Sequence, residues 1–209
     1  MNNLAYSSQK PEEVASKVEE LLRKELNSQS PIQYQIEDEG ASRTSLGSIL
    51  KESAGLLLGG REEVKLFTIV FNITQPRPIT LRVHLNKQGI GCHAGSLLYT
   101  SNISKPVSGE ASLEEPKMLG ASKFKGATDV AEKLNGNKDL LKLCGKFART
   151  EGNSGGIKLT VPRICKVVPA GAGTMLVINT LPRPTSMGFG AAMDAKDFFS
   201  IAELVEKAL

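Results

Sequence analysis

The side chains with the most chemistry to offer lie close together in the sequence: Arg82, His84, Cys92 and His93. A thiol beside an imidazole is the minimum for a cysteine nucleophile, because the thiolate reacts and a nearby imidazolium lowers its pKa. Cys92, with His84 or His93 as the base, is therefore the catalytic candidate, for an acyl or phosphate-bearing substrate. Zinc could be held by the same three side chains. A fourth ligand at a recognisable spacing is missing, so neither a metal site nor a cofactor is assigned. No Ser-His-Asp order, nucleophile elbow or metal-binding His-Glu helix occurs in the chain. A solvent-facing histidine and an unreactive thiol outweigh the enzymatic reading.

Two further arginines share an unusual context. FNITQPRP at 71–78 and INTLPRP at 178–184 both carry an apolar run through Asn and Thr into Pro-Arg-Pro. Proline removes a ladder donor and extends the residue before it, so the motif ends a strand without any further role. The flanking sequences diverge, which favours punctuation over a duplicated half-domain. In functional terms, fixed backbone on both sides of Arg77 and Arg183 would project each guanidinium at little entropic cost. The two would then form a clamp for phosphate or carboxylate. Arg77, Arg82, His84 and Arg183 are the ligand-binding candidates.

Other motifs lack their context. GFGAA at 188–192 has Met193 where a dinucleotide fingerprint needs its third glycine, and Asp194 would repel a phosphate. GNSGG at 152–156 precedes a strand and lacks the Gly-Lys-Ser/Thr of a phosphate loop. Both read as turns. Acidic neighbours such as Glu37-Asp38-Glu39 and Glu114-Glu115 read as solvated.

Composition narrows the partners. The net charge of +4 is uneven: residues 1–60 hold 6 basic and 9 acidic side chains, and residues 77–166 hold 15 and 7. This surplus admits a weak nucleic-acid footprint, but no dense basic run exists and only 5% of residues are aromatic, too few for a base-stacking platform. Nucleic acid is thus a partner allowed but not favoured. Three cysteines without close pairing argue against a secreted disulfide framework. The opening MNNLAYSSQKPEE offers no apolar signal core, and no apolar run reaches a membrane span. A soluble, cytoplasmic protein with no membrane partner is expected.

The elements that position these residues follow from periodicity. Val14, Val18, Leu21, Leu22 and Leu26 recur at helical spacing, and 11–26 is predicted as an amphipathic helix. Helices are also expected over 42–58, where Ser42 or Thr44 could cap the start, near 128–135, over 138–149, and from an Asp194 cap to the end. Strands are expected at 32–36, at 64–73, at 79–86 with Arg82 and His84 on the more polar side, and at a third segment ending in LLYT. Residues 157–168 and 174–180 form a later pair. Residues 100–127 lack periodicity and read as a long loop. The expected fold is a single α+β domain over 1–209, a mainly antiparallel sheet of about six strands with helices packed on one face.

From these residues the favoured function is a non-enzymatic binding or interaction module. It would recognise a small anionic ligand or a protein partner through a sheet face or groove. A homo-oligomer is compatible with such a sheet. The alternatives are the Cys92 enzyme and weak nucleic-acid binding.

Overall fold

A computed structural model of the chain describes residues 7–8, 10–38, 65–88, 91–114, 122–154, 157–162, 164–180, 183–184, 191–192 and 195–209. The helix expected over 42–58 and the Asp194 cap lie outside these residues, as do the glycines at 188–190. Among the described residues the fold is α+β with a mainly antiparallel sheet of nine strands, eight in one continuous order and a ninth paired off that path, more than the six expected.

The chain divides into two compact units. The first comprises Met1–Asn72, Leu81–Leu97 and Pro182–Met193; the second comprises Ile73–Thr80, Leu98–Leu181 and Asp194–Leu209.

In the first unit, α1 (Pro11–Leu26) forms as its periodicity predicts. Pro11 occupies the first turn, where a missing N–H costs nothing. Glu12 and Glu13 sit at the positive end of the helix, and Arg23 and Lys24 at the negative end. Val14, Ala15, Val18 and Leu22 are its buried stripe. Asn27 ends the helix in left-handed geometry, φ 52°, so that the Ser28 N–H reaches the Arg23 carbonyl at 2.9 Å. The Glu19 carboxylate then accepts the Ile32 N–H at 3.0 Å, tying α1 to the segment that enters the sheet.

Strands β1 (Ser7–Ser8), β2 (Tyr34–Asp38), β3 (Lys65–Ile73), β4 (Ile79–Gln88) and β5 (Gly91–Ile103) follow. Their order in this unit is β2-β3-β4-β5, with β1 added beside β5. Strand β2 pairs antiparallel with β3, placing Tyr34 opposite Phe71 and Glu37 opposite Thr68. Alternation in β4 is strict: Leu81, Val83 and Leu85 are fully buried, while Arg82 and His84 remain partly exposed.

The second unit corrects the reading of residues 100–127 as a loop. Thr100–Ile103 complete β5, and two further strands follow, β6 (Ala111–Glu114) and β7 (Lys123–Gly126). They pair antiparallel, with Leu113 opposite Phe124. Gly126 permits the tight start of the next element: its φ is +133°, and a Cβ there would lie 2.1 Å from the Glu110 carbonyl oxygen.

Helices α2 (Thr128–Gly136) and α3 (Lys138–Ala148) come next, split as expected at Asn137. The Asn137 side-chain oxygen accepts the Leu140 N–H at 3.0 Å and so caps α3. A hairpin of β8 (Arg149–Ser154) and β9 (Ile157–Pro162) precedes a second of β10 (Ile164–Ala170) and β11 (Gly173–Thr180). The single strand expected over 157–168 is thus two strands, in separate hairpins, parted just after Pro162. The order β11-β10-β6-β7 completes the sheet in this unit. Along β11, buried Thr174, Leu176, Ile178 and Thr180 alternate with partly exposed neighbours, which marks one covered face. The last helix, α4 (Ala195–Ala208), meets β5, where Phe198 stacks on Tyr99 with ring centroids 4.9 Å apart. A short antiparallel pair, β12 (Arg183–Pro184) and β13 (Ala191–Ala192), belongs to the first unit.

Candidate functional site

Period-two alternation decides where the chemistry goes. With Leu81, Val83 and Leu85 turned into the core, Arg82 and His84 must emerge together on the opposite face of β4. The neighbouring strand β3 supplies Thr68, whose Oγ1 lies 3.0 Å from His84 Nδ1. Strand β2 sets Glu37 opposite Thr68, and the Gln35 amide donates to the Glu37 carboxylate at 3.0 Å. Three adjacent strands of the first unit therefore carry Glu37, Thr68 and His84 as a polar row, with Arg82 one side-chain step along β4.

Electrostatics at this row are specific. Burial first, and the positive charge of Arg82 second, together lower the His84 pKa from 6.5 to about 4. The imidazole is neutral at pH 7. Its Nδ1 is engaged by Thr68, whereas its Nε2 is buried without a hydrogen-bond partner. Whichever tautomer is present, one ring nitrogen lacks a partner, at a cost of about 1–3 kcal/mol. Arg82 has no ion-pair partner among the described residues. A half-buried guanidinium and an unsatisfied imidazole nitrogen thus share one strand face.

Arg77 is placed differently. In the second unit its Nη2 lies 3.1 Å from the Glu206 carboxylate of α4, and the Ser104 hydroxyl donates to the same carboxylate at 3.3 Å. An external anion at Arg77 would have to displace Glu206. Arg183 contributes only backbone to the description, paired with Ala192 in β12 and β13. Its side chain lies outside the described residues, as do those of Cys92 and His93. The backbones of these last two pair with Ser8 and Ser7 of β1.

Thr68 was not among the expected site residues. The signal for it was its place in VKLFTIVFNI, on the same strand face as Val70 and Asn72, next in sequence to the strand that carries His84. Cys144 behaves as the small buried hydrophobe its helical position implies. Among the described residues no group of three or more His, Cys, Asp or Glu gathers as a metal site, and no helix is long and apolar enough to cross a membrane.

Comparison with protein-family models, with curated proteins and with solved structures finds no match to this chain.

Proposed function

We propose that this protein is a non-enzymatic binding module that takes an anionic group, a carboxylate or phosphate, on the strand face carrying Arg82 and His84. One observation carries the reading: an Arg82 guanidinium without an ionic partner among the described residues stands beside a neutral His84 whose Nε2 is buried and unsatisfied. Buried polar groups in folded proteins are nearly always paired, and an exception invites a missing partner. An anion would supply acceptors for the guanidinium, whose planar donor fork suits such oxygens. It would also supply an acceptor for an Nε2–H, the tautomer that results when Thr68 donates to Nδ1.

The group bound belongs to a small molecule in the primary form of this proposal, and a protein partner bearing the same group would meet the same donors. Arg77 is less suited, since Glu206 already neutralises it. Two-dimensional NMR of the ¹⁵N-labelled chain, titrated with sodium acetate and separately with inorganic phosphate, tests the reading. Saturable shifts at Arg82 and His84, lost in Arg82→Ala, are expected for one or both anions. Shifts that are linear in salt and equal across the surface would dismiss it.

A further inference from the structure

Charge balance distinguishes one anion from another on the face that carries Arg82 and His84. Arg82 brings one positive charge, and the neutral ring of His84 brings none. A monoanion is balanced by Arg82 alone. A dianion is not, and a half-buried charge left uncompensated is costly.

His84 can supply what is missing. Its Nδ1 meets Thr68 Oγ1 at 3.0 Å, and its Nε2 is buried with no hydrogen-bond partner. A hydroxyl both donates and accepts, so Thr68 serves either state of the ring. It donates to Nδ1 of the neutral imidazole and accepts Nδ1–H from the imidazolium. A side chain that only donates, or only accepts, would serve one state.

The charges around the ring are few. On its own strand, Arg82 opposes a second positive charge. From β3 the ring meets uncharged Thr68. From β2, two strands away, the row ends at Glu37, whose carboxylate holds the Gln35 amide. On β5, residues 97–103 include one titratable side chain, Tyr99, and its ring lies against Phe198. With the face empty, burial and Arg82 keep His84 neutral. A dianion seated at Arg82 reverses that balance, because opposite charge at close range favours the protonated ring.

Resting on the anion-binding reading above, we propose that this strand face selects a doubly charged tetrahedral oxyanion, of the phosphate-monoester class, and takes up one proton from solvent on His84 as it binds. The ligand accepts from the guanidinium fork and from Nε2–H, while Thr68 accepts Nδ1–H. Two positive charges then face two negative ones. A carboxylate, with a single charge, exerts the weaker pull on the proton. Binding that takes up a proton strengthens as pH falls.

Sulfate and methyl sulfate are the probes, since they share a tetrahedral head, differ in charge and do not titrate near neutral pH. The full ¹⁵N-labelled chain is titrated with each sodium salt at constant ionic strength, and the His84 ring nitrogens are assigned by their absence in His84→Asn. Sulfate should bind about threefold or more tightly at about pH 5.5 than at about pH 7.5, and should move the His84 ring signals to imidazolium positions at the lower pH. Methyl sulfate should bind more weakly and gain less. Sulfate that saturates Arg82 equally at both pH values while His84 stays neutral would overturn the proposal and leave the anion site standing. A pH dependence that survives in His84→Asn would overturn it too, since another group would then carry the proton. Absence of saturable shifts at Arg82 with either salt would remove the anion site itself, and the proposal with it.

Discussion

The side-chain amide of Asn135 occupies both free backbone groups of Phe124: its oxygen accepts the Phe124 N–H at 2.8 Å, and its nitrogen donates to the Phe124 carbonyl at 2.9 Å. Phe124 sits in β7, the last strand in the order of the second unit. A terminal strand presents unpaired backbone groups that recruit other chains, and here one residue from α2 takes the place of a neighbouring strand.

Asn135→Ala should therefore do two things. Leaving both backbone groups unpartnered should cost about 1–3 kcal/mol, read from urea unfolding. The reopened strand should also aggregate faster, read from light scattering at equal fractions folded. Asn135→Asp, which keeps the acceptor and loses the donor, should fall between wild type and alanine.

The two candidate arginines should separate cleanly. Arg77→Ala removes the ion pair with Glu206 and should destabilise the chain by about 1 kcal/mol while leaving anion binding intact. Arg82→Ala should show the reverse pattern, with stability near wild type and binding lost. Chemical denaturation combined with acetate and phosphate titration of both variants checks this. Loss of binding in Arg77→Ala alone would move the site to the other unit.

Acid should weaken the fold through His84. The folded imidazole stays neutral down to about pH 4, whereas the unfolded one takes a proton near 6.5. The unfolded chain thus binds more protons between those values, and stability falls as pH drops from about 6.5 to about 4, by at most roughly 3 kcal/mol from this group. Below pH 4 both states are protonated and the loss levels off. His84→Asn should flatten the difference in urea-unfolding free energy across that window. Parallel curves for wild type and variant would show that His84 does not carry the effect.

Gly126→Ala should be among the most damaging single-methyl changes in the chain. The new Cβ would collide with the Glu110 carbonyl at 2.1 Å, and the φ of +133° disfavours any side chain. A loss of about 2–4 kcal/mol is expected from strain and displaced backbone, measurable as a large fall in melting temperature.

What could be read from the sequence tracks contrast in hydrophobicity. The helices at 11–26, 128–136, 138–148 and 195–208 each bury one stripe against a polar remainder, and β4 alternates without a break, so all five were visible. Strands β6 and β7 were not. Four residues each, with ASLE and KFKG as their sequences, they contain too little apolar contrast to stand out from a loop. Phe124 is the one strong signal there, and a single residue has no period. Pro162, inside the segment expected as one strand, marks the boundary between two hairpins. At the site, alternation placed Arg82 and His84 on a shared face, but it could not pair strands, and so Thr68 went unnoticed. The Arg77 contact with Glu206 was equally invisible, because no local pattern links a strand-ending loop to the last turn of a distant helix.

The path of the backbone has a practical consequence. Because the polypeptide passes back and forth between the two units, each is assembled from segments far apart in sequence. No single truncation can excise the half that holds Arg82 or the half that holds Arg77. A protease cut would sever strands rather than release an autonomous fragment, so dissecting this molecule requires single-residue replacements in the intact polymer.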